Sequence, residues 1–361
     1  MGHKCAITRG PEERDLPARG VWLAEHYPAL GGLLEQVEEK IAGLACARGE
    51  LLNNAGQYVI SGRAKRLRPA LLLLSAEACG GPGSLALEAA AVVELVHTAS
   101  LVHDDVLDES SWRRGRASAR ALWGNKISVL LGDYLLCRAV SHLEAVGSDS
   151  MVEKLLSVTQ QMCHGQVAEI TEAGPNLTES RYLEIVTDKT ASLLGFCGWL
   201  GARSVSAPLE AMEILERFAR NFGMAFQIAD DVHDLVGSQE ASGKPVNHDL
   251  RQKKTTLPVI FSLTQLKGAE HEFLRRALSE PALSRESLSR MRQLAAESGG
   301  IAYAWSVCRQ YLEQAHQALD SLPQALPSLQ PQSGCLNPES ERAYQALLLT
   351  CGEAFPLPVM A

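Results

Sequence analysis

The sequence has few aromatic residues, no closely spaced cysteine pairs and no long uninterrupted apolar run. Aromatic residues make up 5% of the 361 residues, and the nine cysteines form no C-x-x-C pair. The longest apolar stretches, such as PALLLLSAEA at 69–78, stop well short of the roughly 18 residues that span a membrane. These absences argue against a disulfide framework and against an integral membrane segment, and we expect reduced thiols in a cytoplasmic protein.

Positive charge is also in short supply. The chain carries 34 lysines and arginines against 42 aspartates and glutamates, which gives a formal net charge of −8 and a sequence pI near 5.7. A protein that binds nucleic acid through its phosphates needs a basic surface. The composition therefore argues against a general nucleic-acid binder.

Strand-like alternation is missing as well, whereas helical periodicity is strong. Apolar residues recur at i, i+3, i+4 and i+7 in three long segments, 84–106, 127–146 and 209–232. Clusters of Gly, Pro and Ser interrupt the chain at 80–84, 147–150, 173–178, 206–210 and 237–245. Ser84 and Thr178 are predicted to be helix N-caps. We predict an all-α fold, with residues 1–20 mobile and residues 21–361 forming one large helix bundle.

Two acidic triplets share the spacing D-D-x-x-D, one beginning at Asp104 and the other at Asp230. Residues four apart lie on one face of a helix, so Asp104 projects with Asp108, and Asp230 with Asp234. Paired carboxylates on an apolar helix face repel each other and lose hydration unless a cation compensates them. Mg²⁺ meets this need because it takes a few carboxylate oxygens, keeps water and completes its shell with phosphate oxygens.

For either triplet alone, a solvated helix face or a charge cluster at a helix end is the alternative interpretation. Two copies, each at the end of an apolar helical segment, favour a metal-ion clamp for a diphosphate. A zinc site is disfavoured, because no His or Cys lies at ligand spacing beside either triplet.

Basic residues flank the acidic triplets. They occur in RAKRLRP at 63–69, in WRRGR at 112–116, in KKTT at 253–256, and as Lys189 and Lys244. Arg offers a planar fork for phosphate oxygens and Lys a point charge. Each of these residues alone is more often a surface charge than a ligand. Their position beside acidic motifs, in a protein that is acidic overall, favours a diphosphate site.

Five ordered segments match the pattern of one known family. They are 65-KRLRPALLLLSA-76, 94-ELVHTASLVHDDVLDESSWRRGRAS-118, 188-DKTASL-193, 223-GMAFQIADDVHD-234 and 243-GKPVNHDLRQKKTTLPVI-260. The chain resembles the trans-isoprenyl diphosphate synthases of the polyprenyl synthetase family, most closely the long-chain, octaprenyl diphosphate synthase-like branch. The resemblance implies the isoprenoid synthase fold, an antiparallel helix bundle around a deep central cavity, in a homodimer.

The resemblance also implies roles for individual residues. The Mg²⁺ ions on the allylic diphosphate would be held by Asp104, Asp108 and Asp230, with support from Asp105, Asp231 and Asp234. The same diphosphate would be bound by Arg113, Lys189, Lys244 and Lys254. The diphosphate of isopentenyl diphosphate would be bound by Lys65, Arg68, His97 and Arg114. The reacting carbons would lie near Gln227 and Thr190.

By resemblance, the allylic partner is farnesyl or geranyl diphosphate. Metal ions and cations would stabilise the departing diphosphate as the allylic C–O bond ionises. The double bond of isopentenyl diphosphate would attack the carbocation, and loss of a proton would leave an all-trans chain five carbons longer. An apolar cavity would protect the cation from water, and peripheral membrane contact would aid product release.

The two residues about one helical turn before Asp104 are expected to influence the length of the product. In the family a bulky aromatic there blocks the cavity, whereas Ala99 and Ser100 leave space for a long chain.

The chain departs from the family pattern at four other positions. Arg63 and Ala64 replace two usual glycines, and Asn247 and Lys253 each replace another.

Two alternatives remain beside chain elongation. One is a terpene synthase, a lyase of the same fold that cyclises its substrate and does not need isopentenyl diphosphate. Retention of the basic residues that would bind the second diphosphate speaks against it. The other is a non-catalytic subunit of a heteromeric prenyl synthase, which the six intact motif aspartates oppose and the altered segment 61-SGRAK-65 leaves open.

Overall fold

The computed structural model describes residues 27–62, 64, 66–236, 248–252, 254–280, 282–326 and 337–353. In this part of the chain the α-helices are α1 (Ala29–Leu44), α2 (Glu50–Ile60), α3 (Leu67–Ala78), α4 (Ser84–Leu107), α5 (Ala119–Val146), α6 (Asp149–Glu172), α7 (Glu179–Val186), α8 (Ser192–Ser204), α9 (Leu209–Val236), α10 (His248–Arg251), α11 (Leu257–Gln265), α12 (Gly268–Ser279), α13 (Arg285–Glu297), α14 (Gly300–Asp320), α15 (Leu322–Ala325) and α16 (Pro338–Glu353). A π-helical turn, Thr187–Ala191, joins α7 to α8. The all-α prediction is confirmed.

The centre of the molecule is formed by helices that are apolar on every side. Residues 69–78 of α3 and residues 192–202 of α8 are all buried, as expected for helices without a polar face. Helix α4 is long and apolar enough by composition to cross a membrane. However, 67% of its most apolar window is buried inside the fold, as in the core helix of a globular protein.

Close backbone approach holds the central helices together. A Cβ added at Gly198 would lie 2.2 Å from the carbonyl oxygen of Leu215 on α9, and one added at Gly201 would lie 2.3 Å from that of Leu72 on α3. No side chain fits in such gaps, so the two glycines let α8 pack directly against both neighbours. This packing brings α9, which carries the second acidic motif, against the core.

The predicted interruptions agree with the helix ends wherever the structure describes them. Residues 237–245 lie outside the described residues, and the other four breaks fall between helices. The N-cap prediction is confirmed for Thr178, whose Oγ1 accepts a hydrogen bond from the backbone N–H of Arg181. It is wrong by one residue for Ser84: Gly83 occupies the cap in extended backbone, and Ser84 is the first helical residue.

A small β-hairpin follows α4, which the sequence analysis did not anticipate. Strand β1 (Trp112–Arg113) pairs antiparallel with β2 (Arg116–Ala117). The two turn residues have φ values of 53° at Arg114 and 77° at Gly115. Two successive positive φ values are typical of the tight turns that match the twist of a hairpin. The usual Asn-Gly signal is absent, and here Arg adopts the left-handed backbone that Asn commonly takes.

Candidate active site

The first acidic motif lies where α4 ends. Asp104 and Asp105 are in the last turn, and the backbone N–H of Asp108 donates to the carbonyl oxygen of Asp104 at 2.8 Å. Burial raises the pKa of Asp104; Asp108 raises it further, while Lys189 and Lys254 lower it. The first and last aspartates of the motif thus influence each other, as the helical spacing predicts.

The middle aspartate of this motif is already engaged by the protein. Asp105 is 3% exposed, and its Oδ1 accepts hydrogen bonds from Nε and Nη2 of Arg113 at 2.9 and 2.7 Å. Burial raises the pKa of Asp105, and Arg113 opposes the rise. Arg113, which we expected on the allylic diphosphate, therefore fixes the hairpin to α4 in this structure.

The second motif at the end of α9 repeats the arrangement. Asp230 is exposed, whereas Asp231 is buried. Asp231 accepts hydrogen bonds from the hydroxyl of Tyr182 at 2.6 Å and from Nε2 of Gln227 at 2.7 Å. Burial raises the pKa of Asp231 to about 7, although both hydrogen bonds lower it. Again the middle aspartate faces the protein; the first aspartate is exposed here, whereas Asp104 of the first motif is half-buried.

The π-helical turn connects this network to α6. Thr190 Oγ1 donates to Gln227 Oε1 at 2.9 Å, so Gln227 joins Thr190 to Asp231. A Cβ added at Gly165 on α6 would lie 2.6 Å from the backbone nitrogen of Lys189. The turn therefore packs closely on α6, and π-helical turns often occur at functional sites.

A carboxylate that sequence analysis missed lies between the lysines. Glu169 on α6 accepts a hydrogen bond from Lys189 Nζ at 2.5 Å, and Lys254 Nζ is 3.7 Å from the same Oε2. Lys254 also lies 3.4 Å from Asp108 Oδ2. Burial lowers the pKa of Lys254, but Glu169, Asp249, Asp108 and Asp104 together raise it above its usual value. Both lysines therefore lie beside carboxylates, and they share Glu169.

The segment around α10 links the two acidic motifs. The backbone N–H of Asp249 donates to Asp234 Oδ2 at 3.0 Å. From the same segment, Gln252 Nε2 donates to the carbonyl oxygen of Asp108 at 3.3 Å, and Lys254 reaches the Asp108 side chain. This segment therefore contacts Asp234 of the second motif and Asp108 of the first motif, and so joins the two motifs.

A second cluster is basic. Burial lowers the pKa of His97 well below its usual value, and Arg68 and Arg114 lower it further. Burial also lowers the pKa values of the Arg68 and Arg114 guanidiniums. Among the described residues, none donates to or accepts from these three side chains, and the buried Nε of Arg68 lacks a partner. Within the described residues, this cluster therefore has no bonded counter-ion.

The neighbouring Arg66 differs from the three residues of this basic cluster. Its guanidinium is 7% exposed and donates to Glu94 Oε1 at 2.6 Å and to the carboxylate of Glu38. Arg66 also begins α3 with a φ of 44°. The carboxylates of Glu94 and Glu38 therefore neutralise Arg66, which distinguishes it from the other cations nearby.

The two residues expected to govern chain length lie on α4 before the first motif. Ala99 is 2% exposed and belongs to the core. Ser100 is half-buried, and its hydroxyl donates to the carbonyl oxygen of His97 at 2.8 Å. One helical turn, about 5.4 Å, separates Ser100 from Asp104 on the same face.

Two of the expected diphosphate ligands, Lys65 and Lys244, lie outside the described residues, as do the substituted positions Arg63, Asn247 and Lys253. Three polar residues of the site went unpredicted: Glu169, Tyr182 and Asp249. Each belongs to a segment distant in sequence from the group that it contacts; Tyr182 and Asp231 are 49 residues apart. For Glu169 and Tyr182, the only sequence signal was that acidic and polar residues occur before the segment DKTAS. Because these residues follow no fixed spacing, they did not predict a site.

The donor set fits Mg²⁺ shared with a ligand. Asp104, Asp108 and Asp230 offer carboxylate oxygens, the type of donor that Mg²⁺ takes. Within the described ranges, no group of three or more His, Cys, Asp or Glu side chains is positioned to hold an ion unaided. Mg²⁺ characteristically uses only one or two protein carboxylates and completes its shell with water and substrate phosphate. The residues present thus fit a metal that binds together with a diphosphate.

Comparison with known proteins agrees with this geometry. The all-trans-nonaprenyl-diphosphate synthase (geranyl-diphosphate specific) of Rhodobacter capsulatus is 35% identical over 306 residues, 84% of this chain and 91% of that protein. The octaprenyl diphosphate synthase of Escherichia coli is 32% identical over 275 residues, 76% of this chain and 85% of the relative.

A solved structure is also similar. The polyprenyl synthase of Caulobacter crescentus, crystallised with calcium and isoprenyl diphosphate, superposes with a TM-score of 0.81 and 30% identity, over 94% of this chain and 98% of that one. The polyprenyl synthetase family profile matches residues 49–295. The chain therefore belongs to the polyprenyl synthetase family.

Proposed function

We propose that the protein is a chain-elongating prenyltransferase that condenses an allylic diphosphate with isopentenyl diphosphate to give a long all-trans polyprenyl diphosphate. The observation that carries the proposal is the division of the site into two unlike halves. One half has two acidic motifs with paired lysines, and the other is the basic cluster of Arg68, His97 and Arg114 without bonded counter-ions. Two diphosphates, one with metal and one without, would satisfy both halves.

The acidic half would take the allylic diphosphate, farnesyl or geranyl. Its carboxylates would hold about two or three Mg²⁺ ions, which supply charge neutralisation to the departing diphosphate. The first-line ligands are Asp104, Asp108 and Asp230, with Asp105, Asp231 and Asp234 in support. The cations of this half are Lys189, Lys254, Lys244 and Arg113. Lys189 and Lys254 already lie within 3.7 Å of carboxylates, so both side chains are in place before substrate arrives.

The basic half would take isopentenyl diphosphate through Arg68, His97, Arg114 and Lys65. His97 contributes as a neutral imidazole, because burial and the arginines keep its pKa low. The two arginines supply charge-assisted hydrogen bonds to phosphate oxygens. Fixing the second substrate here holds its double bond near the allylic carbon, which lowers the entropic part of the barrier.

Two polar side chains stand between the halves. Thr190 and Gln227 are hydrogen-bonded to each other, and Asp231 orients the amide of Gln227. They would line the path of the developing allylic cation and offer it oxygen dipoles. The proton lost at the end of the step would go to the released diphosphate, while the apolar helices around the site exclude water.

Small residues below the first motif support a long product. Ala99 and Ser100 present no aromatic ring where the growing chain would pass. We expect Ser100→Phe and Ala99→Tyr each to shorten the product, because a ring one turn below the diphosphate closes the path. Unchanged product length in both variants would contradict this assignment.

An apolar surface on α5 and α6 supports a homodimer. Val129 and Leu130 on α5 and Val167 and Ile170 on α6 are 41%, 60%, 60% and 56% exposed. With Leu156, the two α6 residues lie at the helical spacing typical of a stripe that packs on another helix. A second copy of the chain, with a matching stripe, is the partner that we propose.

We place the protein in the cytoplasm, with peripheral membrane contact for release of its apolar product. The cysteines among the described residues are all free thiols, which suits a reducing compartment.

Product analysis tests the function. The purified protein is incubated with Mg²⁺, farnesyl diphosphate and labelled isopentenyl diphosphate, and labelled prenyl chains are sized; we expect products longer than C20. Asp104→Ala should abolish incorporation, whereas Asp320→Ala, a matched exposed aspartate on α14, should not. Consumption of farnesyl diphosphate to a hydrocarbon without incorporation would indicate a terpene synthase, and no turnover would indicate a non-catalytic subunit.

A further inference from the structure

The third arginine of WRRGR makes a set of contacts that the two diphosphate sites leave unexplained. The guanidinium of Arg116 lies over the ring of Tyr58 at the end of α2, with its Cζ 4.1 Å from the ring centroid. Its Nη2 donates to the carbonyl oxygen of Tyr58, and its Nη1 donates to Ser61 Oγ at 3.3 Å. Arg116 is thus committed to the α2 end and is not free to bind a substrate.

Tyr58 completes the connection in the opposite direction. Its hydroxyl donates to the carbonyl oxygen of Ala117, the neighbour of Arg116 on β2, at 2.9 Å. Its ring also meets Trp123 edge-on, with centroids 5.3 Å apart. The space for the guanidinium depends on Gly62, because a Cβ there would lie 3.3 Å from Arg116 Nη2. We call this reciprocal pair of Arg116 and Tyr58 the clasp.

The clasp joins the two chain segments that carry the basic cluster. Arg114 is at the tip of the hairpin, and Arg68 is in the first turn of α3, a few residues after the clasped segment 58–62. Burial lowers the pKa of Arg114, Glu94 raises it, and Arg66, Arg113 and Arg68 lower it further. The hairpin arginine therefore lies near several cations as well as one carboxylate, and its position depends on how the hairpin is held.

Other contacts of the hairpin hold its first strand and its base. Arg113 ties β1 to α4 through Asp105, and Ser118 closes the base of the hairpin through bonds to Ser110 and Ser111. In the described part of the chain, the side-chain hydrogen bonds between β2 and the end of α2 all involve Arg116 or Tyr58.

We propose that Arg116 and Tyr58 are positioning residues for the isopentenyl diphosphate site: the clasp holds the hairpin that carries Arg114 against the end of α2, which leads into the segment of Arg68, so that both arginines bind one diphosphate. This inference rests on the proposed function, and it adds two residues that act through Arg114 and Arg68 without touching the substrate. Stacking and hydrogen bonding of this kind need the planar fork of Arg, which Lys lacks.

The test separates geometry from charge. Arg116→Lys keeps the positive charge but loses the fork, and Tyr58→Phe keeps the ring but loses the bond to β2. We expect Arg116→Lys to raise the KM for isopentenyl diphosphate about five- to tenfold and Tyr58→Phe about two- to fivefold. The KM for farnesyl diphosphate should stay within about twofold in both. Arg181→Lys and Tyr303→Phe, paired with surface glutamates elsewhere, serve as matched controls and should change neither constant.

Binding of inorganic diphosphate in the presence of a chelator gives a readout that does not require turnover. Isothermal titration should show weaker binding to both clasp variants than to the native protein and the controls, at unchanged melting temperature. Equal binding by all five proteins, or weakening in Arg116→Met without weakening in Arg116→Lys, would overturn the clasp. Native protein that binds diphosphate but incorporates no isopentenyl diphosphate would instead overturn the proposed function and leave the clasp standing.

Discussion

At the scale of single residues, identical aspartates have different surroundings. Asp105 and Asp231 are buried and hydrogen-bonded by Arg113 and by Tyr182 with Gln227, whereas Asp230 is exposed. A buried carboxylate that accepts two hydrogen bonds from a neighbouring element is fixed in its orientation. The middle aspartate of each motif therefore holds neighbouring elements in place.

Glu169 offers a direct test of the lysine arrangement. Glu169→Gln keeps the side-chain size but removes the charge that lies against Lys189 and Lys254. We expect kcat to fall about tenfold, which corresponds to about 1.4 kcal/mol in the activation free energy. The reason is that a neutral amide holds the two lysine side chains less firmly than a carboxylate. The KM for isopentenyl diphosphate should not change. Steady-state kinetics with each substrate varied measures both, and Glu172→Gln, one turn further along α6, is the control. An unaltered kcat would contradict this role.

His97 predicts how stability depends on pH. Burial, together with Arg68 and Arg114, lowers the pKa of His97 well below 6.5. Below about pH 6.5 the unfolded chain therefore binds a proton that the folded protein does not, so acid lowers the free energy of unfolding. His97→Gln should reduce the slope of the free energy of unfolding against pH by up to about 1.4 kcal/mol per pH unit, which is the contribution of one proton. Urea unfolding between pH 5 and pH 7 measures the slope, with the exposed His316→Gln as control; parallel curves for His97→Gln and native protein would refute it.

At this scale, helical spacing predicted that Asp104 and Asp108 lie together. The grouping of Arg68, His97 and Arg114 was expected from the family resemblance, and these side chains do lie near one another. Glu169 and Tyr182 could not be found this way, because their contacts join segments whose relative position is set by packing. The engagement of Arg113 with Asp105 was likewise invisible, since a sequence does not show which of two adjacent arginines turns inward.

At the scale of secondary structure, three short irregular features shape the site. They are the hairpin turn at Arg114 and Gly115, the π-helical turn at Thr187–Ala191, and a kink in α5 at Gly124, where φ is 77°. The long helices were predicted from a period of 3.6 residues, which sums over many positions. A turn of five residues has no such repeat, so the sequence carried little signal for these features.

Gly165 tests the importance of the π-helical turn. Gly165→Ala would bring a Cβ to 2.6 Å from the backbone nitrogen of Lys189, so the turn must move away from α6. We expect kcat to drop at least about tenfold and the free energy of unfolding to fall by about 1–3 kcal/mol. Activity assays and urea unfolding check the two effects. Gly31→Ala on α1 is the control: its Cβ meets nothing within 4 Å, and helix propensity should make it neutral or stabilising. Full activity in Gly165→Ala would show that the turn tolerates displacement.

At the scale of the whole molecule, exposed apolar side chains form a stripe on α5 and α6. Leu130→Glu places a charge in the middle of this surface. We expect the variant to sediment as a monomer where the native protein sediments as a dimer, because a buried unpaired carboxylate is costly at an interface. Leu209→Glu, at an equally exposed leucine at the start of α9, should remain dimeric. Identical sedimentation of native protein and Leu130→Glu would rule out this surface as the interface.

The basic cluster of Arg68, His97 and Arg114 has a consequence for handling the protein. Because these side chains lack bonded carboxylates among the described residues, we expect tetrahedral buffer anions such as phosphate and sulfate to bind to them. Phosphate and sulfate will therefore act as competitive inhibitors toward isopentenyl diphosphate and, by binding only the folded chain, will also raise its melting temperature. The same preparation should therefore be more active in an amine-based buffer than in phosphate, but should melt at a higher temperature in phosphate than in the amine-based buffer.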